Sequence, residues 1–190
     1  MLNGEVVVRR DKDSEDGWLK QIYKQQELAY PKFYKMDVLS QAGFLASELI
    51  KRANPHIING YQDDEIGLIF ANRTSSADTD MRFVRSYAEN GAPSPSLFVY
   101  TLPNIVLGEI AIANKWHGEN MFAVLPTFTP GFFVDYGRIL LSQSTNALLC
   151  GWIEILEAHM QVFLFLVEKN AEAGIVFNQE NLLELSNLNF

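Results

Sequence analysis

Between residues 38 and 53 the apolar side chains Val38, Leu39, Ala42, Leu45, Ala46, Leu49 and Ile50 recur at helical spacing, so this stretch reads as an amphipathic helix. Asp37 stands at its N-cap position and Pro55 stops it. IGLIFAN (66–72) has no alternation at all, which suits a strand buried on both faces. NMFAVL (120–125), NALLCGWIEIL (146–156) and QVFLFLVEK (161–169) read as further strands, the last two joined by a turn, and EVVVR (5–9) as a short β-branched one. Helices are expected over 15–28, from Asp80 to Asn90 after the polar turn RTSSADTD (73–80), and over 102–116 with Pro103 in the first turn. A last one covers 130–142 behind Pro130. GAPSPS (91–96) is a loop, and GIVFNQENLLELSNLNF (174–190) holds a short strand and a short helix. Strands alternating with helices predict an α/β fold with a largely parallel sheet covered on both faces, in one domain spanning residues 1–190.

The expected helix over 130–142 departs from the usual surface pattern. Phe132, Phe133, Val134, Tyr136, Ile139, Leu140 and Leu141 leave little but Asp135 and Arg138 to face water. A helix apolar nearly all round should be buried on every side, either between two sheets or against another chain. The segment before it, GENMFAVLPTFTPGFF (118–133), is a strand turning sharply into that helix, a geometry suited to holding a nucleophile. This elbow offers Thr127, Phe128 and Thr129 between Pro126 and Pro130, with no Cys and no Ser.

Composition narrows the function classes. With 48% hydrophobic and 20% charged residues the chain reads as a soluble globular protein, and its apolar runs are too short to span a bilayer; a cytoplasmic address is expected. A net charge of −8 argues against nucleic acid as the main partner. Lys and Arg concentrate at or before Arg52, which fits a solvated basic helix face better than a docking site. The single cysteine, Cys150, lies in an apolar strand and reads as a buried, unactivated thiol. No Cys/His cluster has metal-site spacing, and neither a P-loop nor a GxGxxG turn occurs, so no metal or cofactor is expected. His56, His117 and His159 read as surface loop histidines with no partner placed by local spacing. Asp78 and Asp80 read as helix-start acids rather than metal ligands, and Glu109 as an acid facing a polar seam or an interface.

KMDVLSQAGFLASELI (35–50), IGLIFANRTSSADTD (66–80), PSLFVYTLPNIVLGEIAIANKWHGEN (95–120) and NALLCGWIEI (146–155) stand in the order of the corresponding β-ketoacyl synthase segments, and the sequence resembles that family over about residues 30–170. The TLPNIVLGEIAI and GEN pieces are the most specific, and Cys150-Gly151-Trp152-Ile153-Glu154 matches a family strand ending in a Gly-Gly-x-Glu pattern. The resemblance implies the N-terminal half of a thiolase-like fold, with a roughly five-stranded, mostly parallel mixed sheet and helices on both faces. It also places the family's nucleophilic cysteine at Thr127, with Phe128 the next-best match; a threonine hydroxyl is a far weaker nucleophile and needs an adjacent base. The family's two catalytic histidines and its Gly-Phe-Gly-Gly loop belong to a half that these segments do not match.

The resemblance therefore implies a scaffold without its chemistry: a non-catalytic ketosynthase-like subunit, serving as partner or chain-length element in fatty-acid-like or polyene-type polyketide biosynthesis. Pro126, Thr127, Phe128, Thr129, Phe132 and Phe133 would form the elbow and plug an acyl channel. The strand Asn120, Met121, Phe122, Ala123 and Val124 would be a dimer edge. The implied partner is a second copy or a full-length ketosynthase, with an acyl carrier protein as a further one. The alternatives are an acyl-transfer or hydrolytic enzyme using Thr127 or Thr129, or a synthase completed by a second chain. Covering a bare apolar helix face of several hundred Å² is worth on the order of 10 kcal/mol before association costs. Light scattering at micromolar concentration should therefore report a dimer or a complex; a stable monomer would count against both forms of pairing.

Overall fold

The computed structural model describes residues 2, 3, 5–171 and 173–187. Its centre is β1 (Ile66–Asn72), every residue of which is buried. The parallel strands β2 (Asn120–Val124) and β3 (Ala147–Leu156) flank it, and β4 (His159–Glu168) pairs antiparallel with β3, giving the order β2-β1-β3-β4. The register sets Ile69 opposite Met121 on one side and opposite Cys150 on the other. The mixed α/β sheet matches the expected architecture with four strands among the described residues rather than five. Among the described residues, the short strand expected near residue 175 does not form, and neither does the one expected over 5–9. Only a bridge between Leu2 and Glu5 forms there, and Val6 and Val7 lie exposed with no core to face.

Because successive side chains of a strand point to opposite faces, β1 feeds two cores. Ile66, Leu68 and Phe70 join Leu149 and Ile153 beneath α2 (Val38–Ala53) and α5 (Ile105–Asn114). Ile69 and Ala71 join Leu148, Cys150 and Trp152 beneath α6 (Pro130–Leu141). The Val106 side chain of α5 packs onto the backbone of α2 at Gly43, where an added Cβ would stand 2.4 Å from Val106 Cγ2. The remaining helices are α1 (Trp18–Gln25), α3 (Ala77–Asn90), α4 (Pro95–Val99) and α7 (Gln179–Asn187).

Several boundaries differ from the pattern reading. α1 is shorter than 15–28, and α3 starts at Ala77 rather than Asp80. The expected loop 91–96 folds into α4 from Pro95, where the Ser94 hydroxyl accepts from the Leu97 N–H. Pro103 lies in the turn before α5 rather than inside it. The segment 174–178 is not a strand, and residues 188–190 of the final expected helix lie outside the described residues.

The helix α6 is covered on one side rather than all round. Phe133, Val134, Gly137 and Leu140 face the sheet, while Asp135, Arg138 and Ile139 are exposed, Ile139 by 54%. Its flank is covered by this chain's own α7 and by Phe177, whose ring would stand 3.1 Å from a Cβ on Gly137. The all-apolar pattern overstated the burial because Phe132, Tyr136 and Leu141 settle at half-buried flanks rather than in a second core.

Two buried acids lock the first core together. The Asp37 side chain caps α2 by accepting from the Ser40 N–H at 2.9 Å and takes the Thr79 hydroxyl of α3 at 2.7 Å; burial pushes its carboxyl above the usual range. Glu109 sits inside α5 in the expected polar seam. It accepts from the Tyr100 hydroxyl at 3.0 Å and faces Lys32 Nζ at 2.8 Å. Burial, then the neighbouring Glu109, holds the Tyr100 phenol well above its ordinary pKa. Glu109→Ala strands both partners and should cost about 2 kcal/mol in urea unfolding, whereas Glu109→Gln, which can still accept from Tyr100, should cost less. Equal effects of the two would contradict the seam.

Candidate functional site at the turn after β2

The chain leaves β2 at Val124, and the Leu125 N–H continues the sheet by donating to Asn72 O at 2.8 Å. Residues 126–129 then turn the backbone into α6, with Pro130 in the first helical turn. The Thr129 hydroxyl donates to Thr127 O at 2.9 Å, tying the turn to itself. Thr127 is exposed. Phe128 folds back over the second core, its ring 5.5 Å from Phe133 and edge-on to Trp152 at 6.2 Å and to Phe163 at 5.6 Å. Aromatic pairs at such spacings each add about 0.5–1.5 kcal/mol beyond the area they bury. Phe128 and Phe133 thus form one cluster, which Phe132 extends by standing edge-on to Phe133 at 5.3 Å and stacking on Tyr136, 6.1 Å away.

Beside the elbow lies an open cleft of about 490 Å³. Pro126, Thr127 and Phe128 form one wall, Arg73 stands at the end of β1, and Trp152, Glu154, His159 and Gln161 come from the β3–β4 hairpin. Leu183, Ser186 and Asn187 of α7 close the remaining side. Glu154, the acid of the Gly-Trp-Ile-Glu stretch, is 2% exposed. It accepts from the Arg73 N–H at 2.7 Å, the Thr74 N–H at 3.3 Å and the Thr74 hydroxyl at 2.7 Å. Its carboxylate is thus consumed in holding the turn after β1 and pins that turn to β3.

The histidines separate clearly. His56 sits in a short 3-10 helix (Pro55–Ile58) with Nε2 2.8 Å from Glu168 Oε1, rather than in a free loop. The same oxygen takes the Tyr61 hydroxyl, whose pKa is pushed up to about 12 by burial and then by this carboxylate. His117 precedes β2, its backbone N–H donating to Asp63 O. His159 is the first residue of β4, not a linker between strands, and it shares the cleft with Thr127. The sequence reading missed this because it began the second strand at Gln161. The hairpin is tight, Leu156 pairing with His159 across Glu157 and Ala158, and Glu157 adopts a positive φ that its side chain does not announce. Cys150 is fully buried mid-strand, and burial pushes its thiol up.

Asp78 accepts from the Glu157 N–H and Asp80 from the Ser76 hydroxyl, both in the first turn of α3. No group of three or more His, Cys, Asp or Glu among the described residues could hold a metal ion. No described helix is long and apolar enough to cross a membrane.

The fold has clear relatives among solved structures. One is a ketosynthase (ApeO) in complex with its chain length factor (ApeC) from Xenorhabdus doucetiae, with a TM-score of 0.57 and 16% identity over 77% of this chain and 63% of that one. The ishigamide ketosynthase/chain length factor gives 0.61 and 22% over 79% and 48%. A type II polyketide synthase assembly of acyl-carrier protein with its hexaketide-bound ketosynthase, AntDE:AntF, gives 0.56 and 16% over 70% and 39%. The chain has the thiolase-like fold of these proteins and spans less than two thirds of the length of each. No protein-family model and no curated protein matches its sequence.

Glu154→Ala leaves the donors of Arg73 and Thr74 without their shared acceptor and should cost about 2–4 kcal/mol, with amide exchange rising first at residues 73–76. Unchanged exchange there would show that the turn does not depend on the carboxylate.

Proposed function

We propose that this chain is a non-catalytic ketosynthase-like subunit that pairs with a full-length ketosynthase. The reading is carried by the elbow. It keeps a strand–turn–helix geometry, but Thr127 stands where a thiolate would act and the Phe128 ring fills the space behind it. Among ketosynthase-type folds this is the condition of a partner rather than of a condensing enzyme. A role as chain-length or acyl-channel element in polyketide or fatty-acid-like biosynthesis follows, with Phe128, Phe132 and Phe133 limiting the depth available to a growing chain.

The surface for pairing is β2. It is one of the two edge strands of the described sheet, and Asn120, Met121, Phe122, Ala123 and Val124 carry no charge to discourage another strand. Val124 is 55% exposed. Such an edge is a template for strand addition, and the complexes formed by two of the structural relatives supply the model of a ketosynthase on the other side. An acyl carrier protein would then meet the pair rather than this chain alone.

A second reading is favoured by the meeting of Thr127 and His159 in one cleft: acyl transfer or hydrolysis with Thr127 as acceptor and His159 as base. Thr129 is the weaker candidate, because its hydroxyl is engaged with Thr127 O. Co-expression with a full-length ketosynthase encoded nearby decides between them. The first reading expects a stable complex by gel filtration and an unchanged intact mass after exposure to acyl-CoA donors. No complex, together with an acyl adduct lost in Thr127→Ala, would replace it with the second.

A further inference from the structure

Past β4 the chain does not return to the sheet. Residues 173–178 carry no regular structure, and α7 then lies along the flank of α6, its main support. Between Ala173 and Asn187 only Leu182 and Ser186 are buried, while Ile175, Val176 and Leu183 stand at least half exposed. The hydrogen bonds of the segment close largely on itself. Asn178 Oδ1 caps α7 by accepting from the Asn181 N–H, Asn181 Nδ2 donates to Val176 O, and the Ser186 hydroxyl donates to Leu183 O, each at 2.8 Å. Arg138 reaches across from α6 to donate to Phe177 O at 3.2 Å, an exposed bond.

A helix of 9 residues is shorter than the roughly 12–15 at which a helix holds its shape alone in water, so α7 is helical because it is docked. Glu180 and Glu184 stand one turn apart with like charge, and neither forms an ion pair among the described residues, which loosens it further. The seat beneath is cut to this segment. A Cβ on Gly131 of α6 would stand 3.2 Å from Gln179 Nε2, and one on Gly137 would stand 3.1 Å from the Phe177 ring. Phe177 in turn lies over Phe165 of the second core, 6.5 Å away, and α7 lends Leu183, Ser186 and Asn187 to one wall of the cleft beside the elbow.

We infer that residues 174–187 are a displaceable strap, which opens as a unit while the sheet and α6 stay folded. Few buried contacts and mostly internal hydrogen bonds are what set such a segment apart from the body of a fold. In the closed form the strap seals the second core along α6. In the open form it bares the seat at Gly131 and Gly137 and takes away one wall of the cleft. The device belongs to the chain alone and holds whatever pairs at β2.

Thiol labelling of the full chain carrying Leu182→Cys tests the strap against an internal standard. The introduced thiol lies under the strap, whereas Cys150 is fully buried in the middle of β3 and reports opening of the whole fold. With an aromatic disulfide reagent the introduced thiol should react at least about a hundredfold faster than Cys150, at a rate that low urea hardly changes. Amide exchange of the unsubstituted chain should agree, with α7 exchanging well before β1 and with little urea dependence. Adding Glu184→Lys turns the repulsion from Glu180 into attraction and should slow the labelling about threefold while leaving Cys150 as it was. An introduced thiol no faster than Cys150, exchange of α7 in step with β1, or labelling indifferent to Glu184→Lys would each overturn the strap.

Discussion

The structure depends on the double burial of β1. A strand apolar at every position cannot face water on either side, so it must lie centrally and be covered by helices from both directions. That requirement forces long crossovers on each side of it, which in turn place the turn after β1 and the turn after β2 next to each other at the carboxyl ends of the sheet. The cleft, the Glu154 pin and the elbow are all consequences of where β1 has to sit. The same strand divides the interior, giving α2 and α5 one core and α6 the other.

Within that frame the elbow is stabilised by packing. A nucleophile mount needs small neighbours and a base positioned to take a proton. Here the residue after Thr127 is an aromatic ring in contact with three others, and the nearest acid is fully occupied as a backbone and hydroxyl acceptor. The aromatic cluster of Phe128, Phe133, Trp152 and Phe163 contributes to stability what a condensing enzyme would spend as open space. On the proposed reading, a partner that supplies the chemistry and meets the chain along an uncharged strand edge would account for an elbow without a thiol.

Much of this was legible in the sequence where one physical rule dominates. The helix α2 and the strand β1 run as the pattern predicts, because a capped stripe and an unbroken apolar run leave few alternatives. Glu109 was legible as a polar seam, since an acid in an apolar helix must find partners, although nothing local named Lys32 and Tyr100. EVVVR misled because β-branched residues favour a strand only when another strand and a core receive them. The helix α6 misled because hydrophobicity around its axis does not reveal that α7, distant in sequence, covers its flank. The cleft was not legible at all: Arg73, Thr127, His159 and Asn187 come from four separated segments, joined only by crossover geometry and a tight hairpin.

The central claim is that this chain keeps the scaffold of a ketosynthase in order to pair along β2. Amide hydrogen exchange across residues 120–124, measured for the chain alone and with a full-length ketosynthase, tests it most directly. The account predicts that the outward-facing amides of this strand, those not donated to β1, exchange readily in the isolated chain and become strongly protected in the complex, while β4 at the opposite edge changes little. Protection that appears at β4 or on the helices, with β2 left as open as before, would contradict it.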